Sequence, residues 1–219
     1  MRPSRIILLR HGEAEGNIDE SLFEHKPDHR MELTARGLAQ SRAVGEKLRE
    51  LVGASRVRVY VSPYLRAWQT LNELHLEDLV DRVVEEPRLR EQDWGNFQNG
   101  ATIVAQKEER NRFGHFFYRL ADGESGADVF DRVSSFLETL HRDFRDDDYP
   151  DTALLVTHGL MMRLFFMRWF HWTVDYFEAL ENPGHCEMKI LEQAGGRYAL
   201  DRPFSTWRAP AVSPWPPAR

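Results

Sequence analysis

One cysteine, Cys186, stands among 219 residues, so no internal disulfide can form and the fold must be held by packing and hydrogen bonds. Long apolar runs are missing too. The most hydrophobic stretch, residues 160–172, is interrupted by Arg163 and Arg168 and falls short of the ~20 apolar residues of a membrane span, which predicts a buried or half-buried helix. Residues 1–5 are too charged, and the apolar run after them too short, for a secretory signal; a reducing, cytoplasmic setting is expected. Positive charge is not in excess. With 29 Lys and Arg against 35 Asp and Glu, the net charge of -6 argues against general nucleic-acid or anionic-membrane binding. An anionic substrate therefore needs a local basic pocket. No internal repeat is present.

What is present suffices for one sizeable core. The chain is 42% hydrophobic with 13 Phe, and at this length a domain buries roughly 70% of its unfolded surface. A single domain is expected over residues 1–202. Residues 203–219 hold five of the 11 prolines and read as a Pro-rich tail that lies extended or is disordered.

The chain turns on residues 6–17. Ile6, Ile7, Leu8 and Leu9 form a short, partly β-branched run suited to a strand buried on both faces, and it ends in Arg10, His11 and Gly12. The carboxyl end of a parallel strand is where open α/β sheets bind ligands. Taken alone, Arg-His-Gly is better read as a surface pair after an edge strand, and it becomes a site only where distant segments supply complementary groups. Residues 16–30 read as an ordered loop over the site or a mobile flap. Thr34 is a natural N-cap for a helix with Val44, Leu48, Leu51 and Val52 on one face, closed by Gly53. Val57, Val59 and Val61 predict a second strand. Ser62 and Pro63 then predict a helix with Ser as cap and Pro at its first position, which puts Arg66 in the first turn, where the helix dipole already favours an anion. From this segment alone, a salt bridge to a surface carboxylate is the better account of Arg66.

Farther on, Pro87 predicts an extended segment over 83–89. Residues 99–120 are helix-prone, with an aromatic cluster of Phe113, Phe116, Phe117 and Tyr118 that suits core or lid packing. Gly123, Glu124, Ser125 and Gly126 open an amphipathic scaffold helix. The run Thr152 to Thr157 is another apolar strand, and it ends in His158 and Gly159. This repeats the first site, and two such ends on neighbouring parallel strands bring the histidines side by side. The other seven histidines, His185 among them, sit in polar loops or on helices, where solvated or packing roles suit them. A last strand is expected over 186–191.

Together these segments resemble the histidine phosphatase superfamily, phosphoglycerate mutase-like branch. The resemblance rests on Arg10-His11-Gly12-Glu13 with Asn17, Leu33-Thr34 to Gly37, Ser62-Pro63 with Arg66 and Thr70, Leu89 to Gly95 with Glu91, Gly123-Glu124-Ser125, and Thr157-His158-Gly159. These occur in the family's order and span the chain to about residue 191. The segments Trp169 to Val174 and Asn182 to Glu187 look more like plant and fungal phosphatase-like members than glycolytic mutases.

The resemblance implies an α/β/α three-layer sandwich around a mixed, largely parallel sheet, and a reaction through phosphohistidine. It implies His11 as nucleophile; Arg10, Arg66 and His158 as the phosphoryl clamp, with Asn17 adding a hydrogen bond; and Glu91 as proton donor. No metal or cofactor is implied. Fixed guanidinium forks and a second imidazole stabilise the charge on a transferring phosphoryl group. The expected partner is a small phosphorylated metabolite, and a homodimer is compatible with the resemblance. Two departures bear on the reaction: Ala14 stands where many relatives have Ser or Thr, and the segment from Glu91 to Gly123 is shorter than in glycolytic mutases, which favours net hydrolysis. Three functions remain open: a phosphomonoesterase; a mutase or sugar-bisphosphate phosphatase, needing further cations such as Arg30, Lys107, Arg110 or Arg112 in the pocket; and a non-catalytic phospho-ligand or protein-binding module.

Overall fold

The computed structural model describes residues 2–96 and 99–211. Its first strand, β1 (Arg5–Arg10), is the apolar run. Side chains alternate along a strand, so Ile6 and Leu8 enter one core and Ile7 and Leu9 the other. The polar segment that follows is ordered as α1 (Glu15–Ile18) and two 3-10 turns, Glu20–Glu24 and Asp28–Arg30. α2 (Ala35–Val52) starts at Thr34, whose hydroxyl accepts the Gly37 N–H at 3.0 Å, and stops at Gly53 with φ +59°. After β2 (Val57–Val61), buried along its whole length, comes α3 (Leu65–Glu73). The expected cap is displaced here: α3 begins two residues later than Pro63, with Tyr64 at its N-cap position, because the Ser62 hydroxyl is engaged by His158.

The edge strand β3 (Val80–Glu85) is followed by a 3-10 turn, Pro87–Leu89, in place of continued extended chain; proline fits its first position, where no N–H is needed. α4 (Gly100–Phe113) ends earlier than expected, at Gly114. α5 (Gly126–Asp143) is capped by Ser125 with Asp128 in a reciprocal capping box. β4 (Thr152–Thr157), α6 (Gly159–Phe170), α7 (Val174–Ala179), β5 (Met188–Ala194) and β6 (Arg197–Leu200) complete the chain. β6 was not anticipated. It pairs with β5 through Gly195 and Gly196, both at positive φ as a two-residue hairpin turn requires.

The six strands lie in the order β3-β2-β4-β1-β5-β6, the first four parallel and the last two antiparallel. α2 and α3 cover one face through Val44, Leu48, Ala67 and Leu71. α5, α6 and α7 cover the other through Val133, Phe136, Phe165, Phe166 and Phe177. This is the three-layer α/β sandwich with a mixed, mostly parallel sheet. Part of the expected tail belongs to it: Phe204 is 5% exposed in the core beneath α5, α6 and α7, and Trp207 Nε1 donates to Glu178 O at 2.7 Å. Residues 212–219 lie outside the described part.

Candidate active site

The site follows from strand register. β1 and β4 pair in parallel with Arg10 opposite Thr157, and the His11 N–H donates to Thr157 O at 2.9 Å. The next residue on each strand is therefore a histidine. His11 and His158 are almost fully buried, with ring centroids 5.0 Å apart. The loop after His11 is packed too tightly for any side chain at position 12: a Cβ on Gly12 would lie 2.6 Å from Gly37 O. Thr34 N and Gly37 press α2 against Glu13 O, which gives the Leu33-Thr34 to Gly37 motif its role.

His11 Nδ1 lies 2.7 Å from Gly12 O. A carbonyl only accepts, so Nδ1 carries the proton and Nε2 keeps its lone pair. Burial, with the Arg66 and Arg10 guanidiniums beside it, holds the His11 pKa well below the usual histidine range. The ring is thus a neutral imidazole with a free lone pair inside a cationic pocket. His158 Nε2 sits 2.7 Å from Ser62 Oγ, and its Nδ1 is buried with no protein partner. Burial and Arg66 hold this imidazole neutral as well.

Arg66 is 5% exposed in the first turn of α3, its guanidinium 4.8 Å from the Tyr64 ring centroid. The salt bridge allowed by its sequence context exists. Nη1 donates to Asp28 Oδ1 at 2.7 Å and to Asp28 O at 2.8 Å, and Nη2 to Oδ2 at 3.3 Å. Arg10 Nη1 donates to Pro183 O at 2.5 Å, while its Nε is buried without a partner. Asn17 Oδ1 accepts the Ala14 N–H at 3.0 Å, and no hydrogen bond joins Asn17 to Arg10, His11 or Arg66 among the described residues.

Glu91 is held at the amino end of α6. Its carboxylate accepts from Leu160 N and Met161 N, each at 3.2 Å, and from Gln92 N at 3.0 Å. It thereby supplies the cap that His158, at the N-cap position, does not. The backbone carrying Glu91 is pinned by Arg132, which donates to the carbonyls of Arg88, Arg90 and Glu91 and forms a two-pronged ion pair with Glu124. Glu124 also pairs with Arg90 and accepts the Asp93 N–H. The Gly-Glu-Ser motif is therefore a brace for the Glu91 loop as well as a helix start.

Of the four cations named for a second phosphate, Arg110 is tied to the Glu91 loop through Gln92. Arg30 and Arg112 are exposed, and Lys107 pairs with Glu20. Arg110 donates to Gln92 Oε1 at 3.0 Å, and its partnerless Nε, like that of Arg163, is buried in the field of Glu91. Burial pushes the Arg163 pKa down to about 10.

Sequence reasoning missed four neighbours. Ser62 was read as a cap, Asp28 lay in a segment without a pattern, and Arg132 lay on a scaffold helix. His185 was assigned a solvated or packing role, yet its ring centroid is 5.9 Å from that of His11. Only the Asn-Pro-Gly-His-Cys-Glu resemblance marked that loop.

This arrangement can bind a tetrahedral anion and attack it with a neutral imidazole. Comparison with known proteins identifies the family. The model of the histidine phosphatase superfamily, branch 1, matches residues 6–206. A phosphoglycerate mutase-like protein of Arabidopsis thaliana, AT74, is 45% identical over 94% of this chain and 72% of its own length. The broad-range acid phosphatase DET1 of Saccharomyces cerevisiae is 30% identical over 94% of this chain and 91% of its own. Among solved structures, that of a mycobacterial glucosyl-3-phosphoglycerate phosphatase with VO3 superposes with a TM-score of 0.69 at 26% identity, covering 92% of this chain and 98% of that one. By register, site and similarity alike, this chain belongs to branch 1 of the histidine phosphatase superfamily.

Proposed function

We propose that the chain hydrolyses phosphomonoesters without a metal, through a phosphohistidine on His11. The observation that carries this reading is the state of His11: buried, neutral, with Nδ1–H fixed on Gly12 O and Nε2 free beside His158 and two arginines. In the first step Nε2 attacks phosphorus, the ester P–O bond breaks, and the Glu91 carboxylic acid protonates the departing oxygen. In the second, water attacks the phosphohistidine, gives its proton to the Glu91 carboxylate, and inorganic phosphate leaves with His11 restored. Arg10, Arg66 and His158 stabilise the equatorial oxygens throughout. Because the first step uses the acid form of Glu91, activity is expected to be greatest at mildly acidic to neutral pH. A small phosphorylated metabolite in the cytoplasm is the proposed substrate class. Similarity to a yeast acid phosphatase supports hydrolysis.

The test is p-nitrophenyl phosphate hydrolysis with EDTA present, from pH 4 to 9, for the wild type and His11→Ala, with rapid-quench trapping of labelled phosphoenzyme. Turnover that survives chelation and a label that vanishes in His11→Ala are expected. Full activity in His11→Ala refutes the nucleophile assignment.

A further inference from the structure

Seven buried side-chain nitrogen or oxygen atoms among the described residues have no hydrogen-bond partner, and three of them belong to Arg10, His158 and His185, the residues around His11. Buried polar atoms are seldom left unpaired, and such an atom in a site points to a group that arrives with the ligand. Arg10 and His158 already have that group in the transferred phosphoryl. His185 has no such assignment.

The loop carrying His185 is built onto the nucleophile strand. The Cys186 N–H donates to both Arg10 O and His11 O, at 3.2 and 3.3 Å. Arg10 Nη1 donates to Pro183 O, so the loop that carries His185 also holds the Arg10 guanidinium. Cys186 adopts φ +55°, a left-handed conformation costly for a residue with a Cβ, and such backbone is retained where it places a neighbour. The strained residue directly follows His185. Its ring stands 5.9 Å from the His11 ring, with Nε2 buried and without a partner.

We propose that His185 is a further phosphoryl-binding residue of this site, its Nε2–H donating to an oxygen of the group transferred to His11. The inference rests on the phosphatase reading above. Burial and Arg10 hold the His185 pKa down to about 4, so the ring is a neutral donor over the working pH range. A neutral donor suits its position: with Arg10 and Arg36 already near, a further cation would add unfavourable charge to the empty pocket. It also has one proton and two nitrogens, so Nδ1 is left as the acceptor when Nε2 donates.

The experiment compares wild type, His185→Ala and His185→Gln in two assays: equilibrium binding of orthovanadate, and kcat/KM for p-nitrophenyl phosphate, with melting temperatures as a folding control. The glutamine amide N–H reaches the position of imidazole Nε2. His185→Ala is expected to weaken vanadate binding by about tenfold or more and to lower kcat/KM by a similar factor, as for one lost hydrogen bond to a charged group. His185→Gln is expected to recover most of both. Unchanged vanadate affinity in folded His185→Ala overturns the assignment. So does equal impairment of both variants with a lowered melting temperature, the mark of a packing residue. A wild type that binds vanadate through His185 but turns over no ester overturns the phosphatase reading while leaving the contact standing; a wild type that binds none overturns both.

Discussion

Asp28 competes with substrate for Arg66, and that competition is measurable. The end-on fork of Arg66 is committed to Asp28 through both terminal nitrogens, Nη1 twice over, so a phosphoryl oxygen that takes this end of the guanidinium, in place of its Nε side, displaces at least one of these bonds. The side chains are 7% and 23% exposed, so solvent screens the pair little. A hydrogen bond involving a charged partner contributes about 2 kcal/mol. Its removal should be returned to the incoming anion as roughly a 30-fold gain in affinity. The perturbation is Asp28→Asn, which keeps the shape and one carbonyl acceptor but removes the negative charge. Vanadate inhibition of p-nitrophenyl phosphate hydrolysis should tighten by about one order of magnitude or more. The unliganded variant should melt at a lower temperature, because a buried guanidinium loses its counter-charge. Saturating vanadate should then raise its melting temperature by more than it raises that of the wild type. An inhibition constant that is unchanged or weaker in Asp28→Asn refutes the competition and makes Asp28 a support for Arg66 instead.

The remaining predictions concern the groups behind the reacting atoms. Ser62→Ala removes the partner of His158 Nε2 and should lower kcat/KM by about tenfold with only a small change in melting temperature, checked by steady-state kinetics; an unchanged rate shows that His158 is positioned by packing alone. Arg132→Met frees three backbone carbonyls around Glu91, and should slow esters with poor leaving groups far more than p-nitrophenyl phosphate. Equal loss on both substrates separates general destabilisation from misplacement of the acid. His11 and His158 titrate well below their unfolded value of 6.5, and His185 and His115 titrate at about 4 and about 3. Below about pH 6.5 the unfolded chain therefore binds more protons than the folded one, and stability falls as pH drops toward those folded values. Melting temperatures at pH 7 and pH 5 should show the fall, smaller in His115→Gln; a flat profile contradicts the buried neutral imidazoles.

What could be read beforehand was whatever a strand enforces. Ile6 to Leu9 and Ala153 to Val156 are apolar because both faces are covered, and each run ends in His-Gly, so the pair His11 and His158 was visible as a repeated pattern. Arg66 was visible because a cation in the first turn of a helix is electrostatically odd, although its resting partner was not. Asp28 and His185 come from turns, whose positions depend on contacts far along the chain. Nothing local to Asp28 indicates that it lies against a residue 38 positions away. Ser62 was misread for a related reason: Ser-Pro is a helix-start signal, but a tertiary bond to His158 took the hydroxyl. Phe204 shows the same limit at the other end, where a Pro-rich composition concealed one buried aromatic anchor.

The pairing of Arg10 with Thr157 has a consequence for how such an enzyme changes over time. The distance between the two histidines is set by the ladder between β1 and β4, deep in the sheet, and by no loop. Insertions and substitutions in a loop segment such as 16–30 therefore leave the spacing of His11 and His158 in place. A one-residue slip of that ladder does the reverse: it destroys the reaction for every substrate at once. The spacing of the two imidazoles is thus inherited through the sheet, and their surroundings through turns such as those that carry Asp28 and His185.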